Sequence, residues 1–79
     1  MKTLFISLPT AEAVHTFVTR ISRFDGQFDM LSGSYVLDAR SLMSILSLDL
    51  SKPMKLRIEN DTAEVMRAIN DFFVEEMDD

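Results

Sequence analysis

The chain has no cysteine, so neither a disulfide nor a thiolate-held metal can support its fold, and no thiol nucleophile exists. Its 79 residues must be stabilised by an apolar core alone, and a composition that is 47% hydrophobic supplies the material for one. Cations are scarce as well. Eight Lys and Arg stand against thirteen Asp and Glu, for a formal charge of -5, and the eight are scattered along the chain. That balance argues against an electrostatic grip on nucleic acid. With one histidine and two glycines, there is no H-x-x-x-H metal spacing and no Gly-rich phosphate loop, so the expectation is a protein that is not an enzyme and takes no cofactor. The acidic end (Glu75, Glu76, Asp78, Asp79) lacks the turn and ligand pattern of a calcium loop, and no metal is expected. No apolar run approaches the length of a membrane span, so membrane insertion is not expected. The opening M-K-T-L-F-I-S-L is cut short by Pro9, Thr10 and Glu12 with no A-x-A site after it, and reads as a strand rather than a signal peptide. These features point to one domain over residues 1–79 in a reducing compartment, the cytoplasm by default.

What is present is periodic. Thr3 to Leu8 is short, aromatic and branched, a strand bounded by Pro9. From Ala11 the spacing becomes helical: Ala11, Val14, Val18 and Ile21 share a face that Phe17 and Phe24 widen, and Thr10 is placed to cap it. Asp25-Gly26 ends that helix. Gln27 to Leu31 and Ser34 to Ala39 form two strands of a hairpin around a tight turn at Ser32-Gly33. Ser41 to Leu48 is too continuously apolar to alternate, and reads as a short helix capped by Ser41. Met54 to Glu59 alternates cleanly, with Met54, Leu56 and Ile58 inward and Lys55, Arg57 and Glu59 outward. Asp61-Thr62-Ala63-Glu64 has the spacing of a capping box and opens a last helix, whose stripe is Val65, Met66, Ile69, Phe72 and Phe73, and whose acidic end is expected to fray. The order βαββαβα implies an α+β domain with the helices on one face of an antiparallel sheet and a solvated face opposite.

That order and three local stretches resemble the HPr family, the histidine-containing phosphocarriers of the bacterial sugar phosphotransferase system. The stretches are His15-Thr16 in the first helix region, Ser32-Gly33 in the hairpin, and A-R-S-L-M-S-I-L-S-L-D-L from Ala39 to Leu50, where Arg40-Ser41 and Leu48-Asp49 occupy the places of the family's basic-Ser pair and Leu-Gly turn. The resemblance covers nearly the whole chain. It implies an open-faced β-sandwich, four antiparallel strands covered by three helices. It also implies a non-enzymatic carrier that takes a phosphoryl group on histidine from a phosphoenolpyruvate-charged enzyme and passes it to a sugar transporter component. The family motif is G-x-H-[ST]-R-P. This chain reads Ala13-Val14-His15-Thr16-Phe17-Val18, without the glycine, arginine or proline.

Two readings of His15 follow. In one it is the phosphoacceptor. In the other it is a polar residue on the flank of a helix starting near Thr10, where backbone amides are already used and no anion pocket exists. Arg20 points to the opposite flank and Arg23 lies about 12 Å along the axis, so neither replaces the missing guanidinium. Ser41 likewise has two readings, a helix cap or, by resemblance, the serine that a regulatory kinase phosphorylates, with Arg40 beside it. Leu42, Met43, Ile45 and Leu46 crowd a helix of barely two turns, which implies exposed apolar surface. The resemblance places partner contacts there and around the histidine, at Thr16 and Phe17. The expected partners are proteins, either phosphotransferase-system enzymes or a regulatory protein. The two functions to separate are a phosphocarrier and an HPr-fold regulatory interaction module that has lost phosphoryl transfer, and fold alone does not choose between them.

Overall fold

The computed structural model describes residues 1–75; of the acidic residues expected to fray, Glu76, Asp78 and Asp79 lie outside the described residues. The elements run β1 (Lys2–Ile6), α1 (Ala11–Ile21), β2 (Phe28–Ser32), β3 (Tyr35–Asp38), α2 (Leu42–Leu46), β4 (Met54–Ile58), α3 (Ala63–Ile69), a single 3-10 turn (Asn70–Phe72) and β5 (Phe73–Val74). The five strands form one sheet in the order β3-β2-β4-β1-β5, with every pairing antiparallel. The architecture is the α+β one expected, with an open-faced antiparallel sheet and three helices.

The alternation in β4 becomes a two-sided layer: Met54, Leu56 and Ile58 are buried while Lys55 is exposed and Arg57 half-exposed. Register carries the same sidedness across the sheet, since Ile6 pairs with Met54, Leu4 with Leu56, Phe28 with Ile58 and Met30 with Leu56. This inner face meets Val14, Phe17 and Ile21 of α1, Ile45 of α2, and Val65 and Ile69 of α3 in one core. Each large side chain so buried contributes about 1.5–3 kcal/mol, which is how a chain without cysteines holds together.

The local signals at the two longer helices act as read, with one shift of position. Thr10 caps α1, its Oγ1 accepting the Ala13 N–H at 3.1 Å. At α3 the cap is Thr62, not Asp61: Thr62 Oγ1 accepts the Val65 N–H at 3.4 Å, and Asp61 lies one residue earlier, 4.0 Å from the α-amino group of Met1. The β2–β3 turn is Gly33-Ser34, because Ser32 pairs with Tyr35, and Gly33 takes φ +59°, as the first central residue of a two-residue hairpin loop requires.

The chief departure is at the C-terminal end. The apolar stripe of α3 was expected to continue through Phe72 and Phe73, but α3 stops at Ile69, and Phe73-Val74 become a fifth strand on the free edge of β1. That edge offers unpaired backbone groups, and aromatic and branched side chains suit a strand. The Ser7 N–H donates to the Phe72 carbonyl at 2.8 Å, and Phe72 packs edge-on to Phe17 with centroids 5.6 Å apart. Arg20 closes the join, donating to the Ala68 carbonyl at 3.1 Å and to Asp71 at 3.0 Å while lying over the Phe72 ring.

Candidate functional site

His15 is the fifth residue of α1. The open donors of a helix are its first few amides, and here they belong to Thr10, Ala11 and Glu12, since Ala13 is capped by Thr10 and the Val14 N–H already donates to the Thr10 carbonyl at 3.1 Å. The His15 amide is therefore inside the i to i−4 ladder. Its carbonyl accepts a second bond from Thr19 Oγ1 at 2.8 Å. The imidazole is exposed, and among the described residues it has no hydrogen-bond partner. Helical side chains lean toward the N-terminus, and the charged residue in the first turn, one turn before His15, is the acid Glu12. The arginines nearest in sequence are turned elsewhere: Arg20 is held by Ala68 and Asp71, and Arg23 lies against the Phe24 ring.

Ser41 stands at the N-cap of α2, but its side chain does not cap. Its hydroxyl donates to Ser44 Oγ at 2.9 Å, and the helix begins at Leu42 and ends at Leu46, shorter than the run expected from Ser41 to Leu48. Arg40 is half-exposed, and it is not turned to Ser41. Its guanidinium donates to the carbonyl of Gly26 at 2.8 Å and to that of Phe24, and stacks 4.7 Å over the Phe28 ring. It thus clamps the loop between α1 and β2. Asn60 adds a second tie there, donating to the Asp25 carbonyl at 3.1 Å.

The apolar candidates of α2 divide. Ile45 is fully buried and, like Phe17 of α1, is a core residue with no surface to offer a partner. Leu42 and Leu46 are half-buried, and Met43 is 76% exposed, so the outward patch is Met43 rimmed by two leucines. Thr16 is half-buried beside the exposed His15. α1 and α2 pack on each other, which puts the two regions on one side of the molecule.

One polar cluster had no sequence signature. Asp29 lies on the sheet face away from the helices, nearly buried, with Arg57 Nη2 at 2.9 Å and Gln27 Nε2 at 3.0 Å from its Oδ2. The outward positions of Asp29 and Arg57 were legible in each strand, but the register that sets them opposite was not. The hydrogen bond from Arg57 holds the Asp29 carboxyl below the usual carboxylate range, with burial opposing and Gln27 assisting. The pairing therefore stabilises the fold above the ordinary carboxylate pKa, and that contribution fades as pH falls through the lowered one. Among the described residues no group of three or more His, Cys, Asp or Glu side chains is arranged to hold a metal, and no helix is long and apolar enough to cross a membrane.

No protein-family model and no curated protein sequence matches the chain. Its structure is similar to the crystal structure of HPr-C-His from Thermoanaerobacter tengcongensis, with a TM-score of 0.72 and 29% sequence identity over 90% of this chain and 89% of that one.

Proposed function

The chain is an HPr-like protein, and from that premise we propose that it serves a bacterial phosphoenolpyruvate-dependent sugar phosphotransferase system as a cytoplasmic regulatory module, docking to protein partners rather than carrying phosphoryl groups. The observation that supports this is the place of His15, four residues inside a capped helix. A phosphohistidine holds about two negative charges and needs donors to receive them. At this position the backbone amide is spent in the ladder, the first-turn side chain is the acid Glu12, and Arg20 and Arg40 are bound to carbonyls. The docking surface is the exposed side chain of Met43, with Leu42 and Leu46 at its rim and His15 and Thr16 on the neighbouring helix. A flexible thioether suits contact with partners of varied shape.

A second reading keeps the carrier, and the exposure of His15 favours it. There the lone pair of the unprotonated ring nitrogen forms a P–N bond as the donor's bond to phosphorus breaks. Incubation with phosphoenolpyruvate and the general phosphotransferase enzyme, followed by intact mass measurement, separates the two. The module gains no phosphoryl group under conditions that charge a competent HPr; an acid-labile gain that disappears in His15→Ala establishes the carrier instead.

Ser41 is the residue proposed for regulatory phosphorylation in either reading. Its hydroxyl is released from capping and bonds only Ser44. A kinase assay that yields an acid-stable phosphate in the parent chain and none in Ser41→Ala checks this.

A further inference from the structure

The sheet face turned away from the helices was expected to be simply solvated, yet an ordered row crosses it. In register, Val36 of β3 stands beside Leu31 of β2, Leu31 beside Lys55 of β4, Lys55 beside Phe5 of β1, and Phe5 beside Val74 of β5. Four of these five are apolar; Val36 is 59% and Val74 38% exposed. Directly opposed side chains on one sheet face lie about 5 Å apart, so the row is a continuous strip and not a set of isolated contacts.

Charge is segregated along the same strip. Two adjoining shallow concavities meet at Leu31 and Lys55, one reaching Phe5 and Lys52, the other Val36 and Arg57. Three of the eight Lys and Arg of a chain carrying a net charge of -5 line them. The carboxylate that shares the lining is Asp49, and it is occupied by Ser51, whose N–H and hydroxyl donate to it at 3.1 and 2.6 Å. Arg57 is paired with Asp29, whereas Lys52 and Lys55 make no ion pair among the described residues. Lys55 extends over the Phe5 ring, 5.5 Å from its centroid, and so presents its ammonium within the apolar row.

We propose that this strip is a second docking surface, for a segment of a partner protein that carries carboxylates between apolar side chains. Charge complementarity decides the occupant. A second copy laid face to face on the strip would set lysine-bearing surfaces against each other, a like-charge juxtaposition that works against pairing. An acidic, apolar segment meets both features at once, with carboxylates on Lys52 and Lys55 and apolar groups on Leu31, Phe5 and Val36. The surface is separate from the Met43 patch, because it lies on the opposite side of the sheet from α2.

The test titrates the intact, isotope-labelled chain with a synthetic peptide alternating Leu and Glu, alongside the same peptide with Gln for Glu, at low ionic strength. The expected result is saturable binding with amide shifts concentrated at Phe5, Leu31 and Lys55. Lys55→Glu should weaken binding by about tenfold or more, Lys55→Arg should stay within about twofold, and the Gln peptide should lose about as much as Lys55→Glu. No binding, shifts mapping to α2 instead, or equal affinity for Glu and Gln peptides overturns the proposal. Self-association in sedimentation that Lys55→Glu abolishes assigns the strip to a second copy, and a gain of about tenfold on removing residues 76–79 assigns it to the chain's own acidic end; either outcome also overturns it.

Discussion

Helices α1 and α2 rest on the same core, through Phe17 and Ile45, yet they are built by different means. α1 has eleven residues and a cap in which Thr10 satisfies an amide. α2 has five residues, and the serine at its cap position turns away from the backbone. A helix that short has no independent stability, because the cost of nucleation is spread over too few bonds. Packing of Ile45 and the turns at its ends hold it instead. The difference teaches where function has room. Most positions of α1 are committed to the fold by period, cap or Arg20, whereas α2 points Met43 outward with no structural duty.

The largest test of that contrast removes one side chain from each helix. Phe17 is fully buried and edge-on to Phe72, so Phe17→Ala should cost about 3–5 kcal/mol of unfolding free energy, measured by urea denaturation. Met43→Ala should change stability by no more than about 0.5 kcal/mol. Comparable losses in both would mean that α2 is as structural as α1, and that Met43 is no docking residue.

A smaller effect is expected where α1 hands over to the sheet. Gly26 sits at φ +96°, and a Cβ added there would come within 2.9 Å of Asn60 Cβ. Gly26→Ala therefore meets both backbone strain and a clash, and should lose about 1–3 kcal/mol. Adding Asn60→Gly relieves the clash while also deleting a tie to Asp25, so it should restore only part of the loss. Full recovery would show that the left-handed backbone is not what selects glycine there.

How much of this was legible follows the range of the interactions. Thr10, the stripe of α1 and the alternation of β4 are local patterns; the cap and the alternation appear where their spacing placed them, and the stripe does so through Val14, Phe17 and Ile21, with Val18 half-buried and Ala11 exposed at its start. Phe17 was legible as an apolar-face residue, and its second role as a partner contact came from resemblance alone; burial leaves only the first. The end of α3 was misjudged because Phe72 and Phe73 continue a helical stripe, and nothing local announces that the edge of β1 will capture Phe73 and Val74. Arg40 shows the same limit: its acceptors, Phe24 and Gly26, are sixteen and fourteen residues away in sequence, so its neighbour Ser41 was the wrong place to look for its partner. At the candidate site, the residues came from motif and resemblance, while the donors needed to judge His15 depended on where α1 starts. The Thr10 cap gave that start within a residue.

The subtlest test compares the two caps. Thr10→Ala removes an acceptor from a first-turn amide and should cost about 1 kcal/mol, within the range measured for such caps. Ser41→Ala removes a hydroxyl that caps nothing and should stay within about 0.5 kcal/mol, with its Ser44 partner free to turn toward solvent or the backbone. Thermal or urea unfolding of the two variants under one buffer resolves a difference of that size. If Ser41→Ala matched Thr10→Ala, the serine would be a structural cap in solution, and its availability for modification would lose its physical basis. If it is silent, while Thr10→Ala is not, then similar residues at similar positions serve opposite ends: one fixes the start of a helix, and the other leaves a short helix's end open to chemistry.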